Sequence, residues 1–385
     1  MRLVGVELVR VALSFRTGIG TAAGTHRGRP LLFVRVVTEE GEGWGECAAL
    51  AEGTAVDPPL GDVERAAADR GVTRIGAASG ARGGQLPDAA EVAQLFGTSR
   101  ADRMIAAAFE MAVTDAALRL DGRSFARALG NGPGFEALPV GAVVGIPGDH
   151  DLAALHVEVA AVATTGASRL RVKIEPGWDV EPVGAVRADL PAVAIQVDAN
   201  GSYGSSDADV RALSRLADFG VLCIEQPLPP ADLVALAQMS ARLPVPVCLD
   251  ESLSTPHRVR DALRNKSCAM ACLKPGRLGG VRATRSAHAA CAAAGVPVFV
   301  GGFFEAGLGR SSNLALAARL SEDATGLVSD LSDPAGYLDV DPCGYPPVVD
   351  GWVHVPAGPG VGKAPDADVL KRLGAQRRWF PAPYT

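Results

Sequence analysis

Seven short apolar runs separated by Ala-rich amphipathic segments constrain this chain more than any other feature. They are Leu138 to Val144, Leu170 to Ile174, Val193 to Val197, Val221 to Ile224, Val245 to Leu249, Ala269 to Leu273 and Val296 to Val300. None alternates as a strand with one wet face would, so each reads as a strand buried on both sides. A helix between each pair makes them parallel βα units. Seven such strands, with an eighth expected near Leu327, predict a closed α/β barrel. An open doubly wound sheet fits less well, since the first βα turn lacks a G-x-G-x-x-G fingerprint.

Five strand candidates are closed by an ionisable residue: Lys173, Asp198, Glu225, Asp250 and Lys274, at intervals of 25, 27, 25 and 24 residues. Each interval is one βα repeat. In a barrel, residues that close successive strands ring one mouth, the C-terminal face where such folds carry their chemistry. Lys173 closes the second strand and Lys274 the sixth, which are opposed in an eight-stranded ring, and the carboxylates lie on the arc between them. Three carboxylates so close repel unless a divalent cation neutralises them. The all-oxygen set Asp198, Glu225 and Asp250 calls for Mg²⁺, with Mn²⁺ as a substitute. An ion holding a carboxylate substrate acidifies its α-proton, and an uncharged Lys nearby can take that proton. Of the 37 basic residues only five are lysines, and two of those five close opposed strands. Two other readings compete: a Schiff-base aldolase, which also ends a strand with Lys, and a non-catalytic barrel whose carboxylates form salt bridges.

The flanks differ from the barrel. Up to about residue 125, strand-like runs at Leu3 to Leu13 and Pro30 to Thr38 and the turn into Trp44-Gly45-Glu46 precede a helical pattern from Ala101 to Leu120. This is an α+β unit. After about Ser329 the chain is rich in Pro, Gly and Asp and is expected to pack back onto that unit; its Gly358 to Gly362 run reads as turns. The expected partition is a capping unit over 1–125, a barrel over 126–328 and a returning segment over 329–385.

A net charge of -6 without a basic block argues against nucleic acid. No apolar run reaches the roughly 18 residues of a bilayer span, and the first residues alternate like a strand, unlike a signal peptide. The expectation is a cytoplasmic protein with a small-molecule carboxylate substrate and no membrane partner. Seven cysteines without a C-x-x-C pair read as buried small hydrophobes.

The strand-end residues, together with Gly43-Trp44-Gly45-Glu46, Lys274-Pro275-Gly276-Arg277-Leu278-Gly279-Gly280 and the run Gly301 to Arg310, carry a resemblance that spans nearly the whole chain. It resembles the enolase superfamily, in its muconate-lactonizing-enzyme subgroup and the o-succinylbenzoate synthase / N-acylamino acid racemase branch. The resemblance implies a modified TIM barrel, (β/α)7β, under an α+β cap. It implies metal on Asp198, Glu225 and Asp250, and acid/base roles for Lys173 and Lys274. The activity implied first is Mg²⁺-dependent dehydration of 2-succinyl-6-hydroxy-2,4-cyclohexadiene-1-carboxylate in menaquinone biosynthesis. The alternative is racemisation of N-acylamino acids, such as N-succinylamino acids, or epimerisation of dipeptides on the same site.

Supporting or substrate-binding positions implied by the resemblance are Arg171, Asn200, Glu251, Arg277, Gly302, Phe303 and Glu305. Arg171 stands where the family's K-x-K motif has its first Lys, and is expected to keep the charge while shuttling no proton. Phe303 and Phe304 stand where relatives often have a Met and an aliphatic residue. Arg277 fits a pattern typical of members that also racemise, a surface salt bridge being its plain alternative. A Gly-rich lid is expected over about Arg16 to Arg29, with His26 as a polar lid residue. A homo-oligomer is expected on the same resemblance.

Overall fold

The computed structural model describes residues 1–130, 135–320 and 327–382. Its cap is built on three antiparallel strands, β1 (Leu3–Thr21), β2 (Gly24–Thr38) and β3 (Glu42–Cys47). The helix Arg100–Leu120 starts at Ser99, whose side chain accepts from Asp102 N at 3.1 Å, and it lies across β3. That contact gives the Gly-Trp-Gly-Glu motif its physical reason. A Cβ on Gly43 would stand 2.2 Å from Ala112 O, and one on Gly45 would stand 1.9 Å from Ala108 O, so only glycine lets strand and helix approach this closely.

The run expected as one strand from Leu138 to Val144 is two. Strand β4 (Ala137–Pro139) joins a small antiparallel sheet, while β5 (Gly141–Val144) opens the barrel. Val140 N donates to Gly351 O between them, outside either ladder. The remaining barrel strands are β6 (Arg169–Lys173), β7 (Ala194–Asp198), β8 (Ile224–Glu225), β9 (Val247–Leu249), β10 (Met270–Leu273) and β11 (Val298–Val300), parallel and in sequence order from β5 to β11. The small sheet is completed by β12 (Val348–Val349) and β13 (Trp352–His354). The last strand, β14 (Gln376–Pro381), pairs antiparallel with β1, so the C-terminal segment does return to the cap sheet.

Near Leu327 the expected eighth strand is replaced by an irregular segment that closes the ring. Leu327 N and Asp330 N donate to Val298 O and Val300 O on one side, and Ser329 O accepts from Gly141 N on the other. The barrel core is Val, Leu and Ile from every strand, with Cys223, Cys248, Cys272 and Phe299 as a separate buried cluster. All seven cysteines are free and buried.

Two cap carboxylates plug into the N-termini of barrel helices. Glu46 of β3 accepts from Ala306 N at 2.9 Å and Gly309 N at 2.8 Å, at the start of Gly307–Leu320. Glu110 accepts from Val281 N at 2.8 Å and Arg282 N at 3.2 Å, at the start of Val281–Ala293. Negative charge is favoured there by the unpaired amides and the helix dipole. Burial still pushes the Glu46 carboxyl up to about 8 and that of Glu110 to about 7.

The segment expected as a Gly-rich loop near residues 16–29 is the far end of the β1–β2 hairpin, with an irregularity between Ser14 and Ile19. Its tip docks on the barrel rim: Gly20 O accepts from Ile146 N at 3.0 Å, and a Cβ on Gly20 would stand 1.9 Å from Ile146 O. Phe15 packs edge-on against Phe304 and Tyr337 at centroid distances of 5.5 and 6.2 Å. Phe304 is thus part of the joint between hairpin and barrel.

Candidate active site at the barrel mouth

The parallel register sets Lys173, Asp198 and Glu225 level on adjacent strands, each the lateral partner of the next. Glu225 then pairs with Cys248, which places Asp250 two residues further toward the mouth. This stagger brings the Asp250 carboxylate over the arc that Glu225 begins. Lys173, Asp198, Glu225 and Asp250 are buried at the C-terminal ends of their strands, and Lys274 is partly buried.

Lys173 Nζ donates to Asp198 Oδ2 at 2.6 Å and to Asn200 Oδ1 at 3.0 Å. Asn200, whose φ is 45°, also donates through Nδ2 to Glu251 Oε1 at 3.0 Å, and its backbone N–H donates to Asp198 Oδ1. Across the ring, Lys274 Nζ lies 2.8 Å from Asp250 Oδ2 and 4.7 Å from the centre of the Phe303 ring. Burial alone would lower the Lys274 pKa, but the Asp250 carboxylate beside it outweighs burial and raises it.

Arg171 shares a face with Lys173 but lies one layer deeper. Its Nε lies 3.1 Å from Glu225 Oε2 and its Nη2 lies 2.8 Å from Asp330 Oδ2, so its charge is spent on carboxylates. Arg169, below it, donates to Gln196 Oε1 at 2.7 Å and pairs with Asp330. Arg277 is not at the surface: it is 2% exposed and is gripped by Asp57 of the cap while its Nη1 bonds Asp250. A Cβ on Gly302 would stand 2.5 Å from Glu305 Oε2, so a side chain there would have to displace that carboxylate. Glu305 accepts from Phe303 N at 2.9 Å and Asn313 Nδ2 at 3.0 Å, so it braces the loop after β11. Phe303 is buried, and its carbonyl accepts from Arg29 Nε at 2.9 Å.

The carboxylates fit a cation unequally. Glu225 Oε1 and Asp250 Oδ2 are buried with no hydrogen-bond partner; the contact of Asp250 Oδ2 with Lys274 lacks hydrogen-bond alignment. Burial and the neighbouring Asp198 and Asp250 charges push the Glu225 carboxyl well up. Asp250 goes the other way: burial opposes ionisation, but Arg277 and Lys274 hold its carboxyl low. A divalent cation between them would remove this conflict. Among the described residues, Glu225, Asp250 and Cys272 offer ligand atoms within 4.8 Å of one another. Asp198, the third expected ligand, is not part of that cluster, and its oxygens accept from Lys173 and Asn200.

Cys272, Asp330, Asp57 and Arg169 are site or supporting residues that sequence reasoning did not single out. Cys272 had a signal: it lies two residues before Lys274 and therefore faces the same way. Asp330 closes the segment that takes the eighth place in the ring. Asp57 lies in a cap loop and had none.

The fold and mouth define an enolase-type barrel enzyme with a candidate divalent-cation site at Glu225 and Asp250. The family model described as "Enolase C-terminal domain-like" matches residues 154–369. The chain is 38% identical over 381 residues to an N-succinylamino acid racemase of Amycolatopsis sp, covering 99% of this chain and all of that one. It is 32% identical over 371 residues to an o-succinylbenzoate synthase of Geobacillus stearothermophilus, covering 95% and 94%. A solved structure from Alicyclobacillus acidocaldarius, described as a probable mandelate racemase, superposes with a TM-score of 0.85 at 32% identity over 99% of both chains. The chain belongs to the enolase superfamily, in the muconate-lactonizing-enzyme subgroup and its o-succinylbenzoate synthase / N-succinylamino acid racemase family. No helix among the described residues is long and apolar enough to cross a membrane.

Proposed function

We propose that the protein racemises N-acylamino acids, with N-succinylamino acids as the first class to test. The observation that carries this reading is the 38% identity to the Amycolatopsis N-succinylamino acid racemase along the full chain. It moves racemisation ahead of the dehydration that the sequence suggested first. The opposed lysines supply the chemistry. One amine takes the α-proton from one face of the substrate carbon, and the other returns a proton to the opposite face, which inverts the centre. Asn200 and Asp198 orient Lys173; Asp250 and the Phe303 ring orient Lys274. Lys274 serves as a base only when Asp250 Oδ2 is engaged elsewhere, because that carboxylate favours its ammonium form. Glu225 and Asp250, with Asp198 beside them, would hold the Mg²⁺ or Mn²⁺, which supplies positive charge against the substrate carboxylate as the proton leaves.

The second reading is dehydration of 2-succinyl-6-hydroxy-2,4-cyclohexadiene-1-carboxylate, favoured by the 32% identity to the Geobacillus synthase. Here Lys173 takes the proton and assists departure of water, while Lys274 stays cationic over the ring. Supplying both substrate classes to the Mg²⁺-loaded protein in deuterated water separates the readings. Racemisation predicts loss of optical activity with deuterium at the α-carbon of N-succinylamino acids. Turnover of the cyclohexadiene alone would overturn it.

A further inference from the structure

We infer that Cys272 gives the cation pocket a sulfur donor, so that a thiophilic divalent ion is held by Glu225, Asp250 and Cys272 together. The inference rests on the cation pocket of the proposed function and adds a ligand to it. Strand alternation sends Cys272 into the barrel beneath Lys274. Its sulfur and the nearest oxygens of Glu225 and Asp250 lie within 4.8 Å of one another. Both carboxylates are at most 1% exposed; Glu225 Oε1 has no hydrogen-bond partner, and Asp250 Oδ2 meets the Lys274 ammonium at 2.8 Å without hydrogen-bond alignment. The sulfur accepts from Arg171 Nη2 at 3.6 Å, which offsets only part of what burial and the Asp250 and Glu225 charges do in pushing the thiol well up, so it is the incoming cation that must displace the proton.

Two donor sets therefore overlap on one pair of carboxylates. Hard ions such as Mg²⁺ and Mn²⁺ take oxygen and leave the thiol protonated. Cadmium or zinc takes the sulfur as well: the S–H bond breaks, an S–metal bond forms, and the proton passes to solvent with no change of oxidation state. The β9–β10 register, Met270 beside Cys248 and Ala271 beside Leu249, carries Cys272 level with Asp250, so a sulfur-bound ion shares the carboxylates that Mg²⁺ would use. It then competes with Mg²⁺ instead of replacing it in turnover.

The metal-free, full-length protein titrated with Cd²⁺ and separately with Mg²⁺ tests this, with ultraviolet sulfur-to-cadmium absorption and calorimetry as readouts. The wild type should develop the absorption band. Cys272→Ser should lose it and weaken Cd²⁺ binding on the order of tenfold or more, while Mg²⁺ affinity stays within about threefold. Cys248→Ser should retain the band. Persistence of the band in Cys272→Ser, or its loss only in Cys248→Ser, overturns the inference. Cadmium NMR of the wild type reads the sulfur ligand directly, so a variant that fails to fold does not remove the test. Wild type that binds Mg²⁺ without any sulfur signal overturns the sulfur donor alone; wild type that binds neither ion overturns the proposed cation pocket as well.

Discussion

Arg277 and Asp57 are joined by two parallel hydrogen bonds, Nε to Oδ1 at 2.9 Å and Nη2 to Oδ2 at 2.7 Å. The remaining prong of the guanidinium holds Asp250, so a cap loop, a barrel helix and a carboxylate of the candidate metal site share one buried guanidinium. Removing one partner of such a pair leaves a buried charge unmatched. Asp57→Ala should therefore cost about 3 kcal/mol or more in denaturant unfolding. An effect within about 0.5 kcal/mol would mean that the pair is solvated.

The two lysines should fail differently. Replacing either by Ala should lower racemisation by on the order of a hundredfold or more. Each variant should still exchange the α-proton of one enantiomer with deuterated water, and the two variants should choose opposite enantiomers. Proton NMR of the α-position reads this directly; the same enantiomer exchanging in both would place both amines on one face.

Cation removal should abolish exchange and turnover together. Dialysis against a chelator, followed by Mg²⁺ or Mn²⁺, should restore both, and Glu225→Gln should weaken Mg²⁺ binding by on the order of tenfold or more in calorimetry. Full exchange in the chelated protein would point to chemistry that needs no cation.

Glu110 should make stability fall as pH rises. Its carboxyl is pushed up to about 7 by burial, against the two amide bonds that favour its charge, whereas in the unfolded chain it titrates near ~4.3. Between those values the folded protein keeps a proton that the unfolded chain has lost, so stability declines from about pH 4.5 to about pH 7. The loss is up to about 3 kcal/mol. Glu110→Gln should flatten this part of the profile in chemical unfolding across pH.

Gly20→Ala should lift the hairpin tip from the rim, because no Cβ fits 1.9 Å from the Ile146 carbonyl oxygen. The expected result is faster proteolysis within the hairpin and a raised KM, with unfolding little changed. Unchanged proteolysis would show that the tip shifts without detaching.

The barrel was legible because its strands are apolar on both faces and stop at charged residues. Lys173, Asp198 and Glu225 fall level in the sheet because the βα repeat keeps nearly constant length. Sequence spacing could not show the side-chain pairings. Asp198 occurs in the same kind of motif as Asp250, yet one pairs with Lys173 and Asn200 while the other is held between Lys274 and Arg277. Arg277 stands out in the sequence by its place after Lys274, but spacing could not show that Asp57 of a cap loop buries it and rules out the alternative of a surface salt bridge. The Leu138 to Val144 run misled because two short strands in different sheets share one continuous apolar stretch. The Gly-rich composition near Gly18 and Gly20 suggested a loop, whereas both lie in a hairpin, where Gly18 makes room for the Thr25 side chain and Gly20 for the Ile146 carbonyl of the barrel rim.

Glu46 and Glu110 have a consequence for engineering. Each is a cap side chain that completes a helix belonging to the other unit, so neither unit has a finished surface by itself. A whole cap transplanted from a relative to change substrate preference must bring carboxylates that reach the same two helix starts, or the chimera will carry two frayed barrel helices.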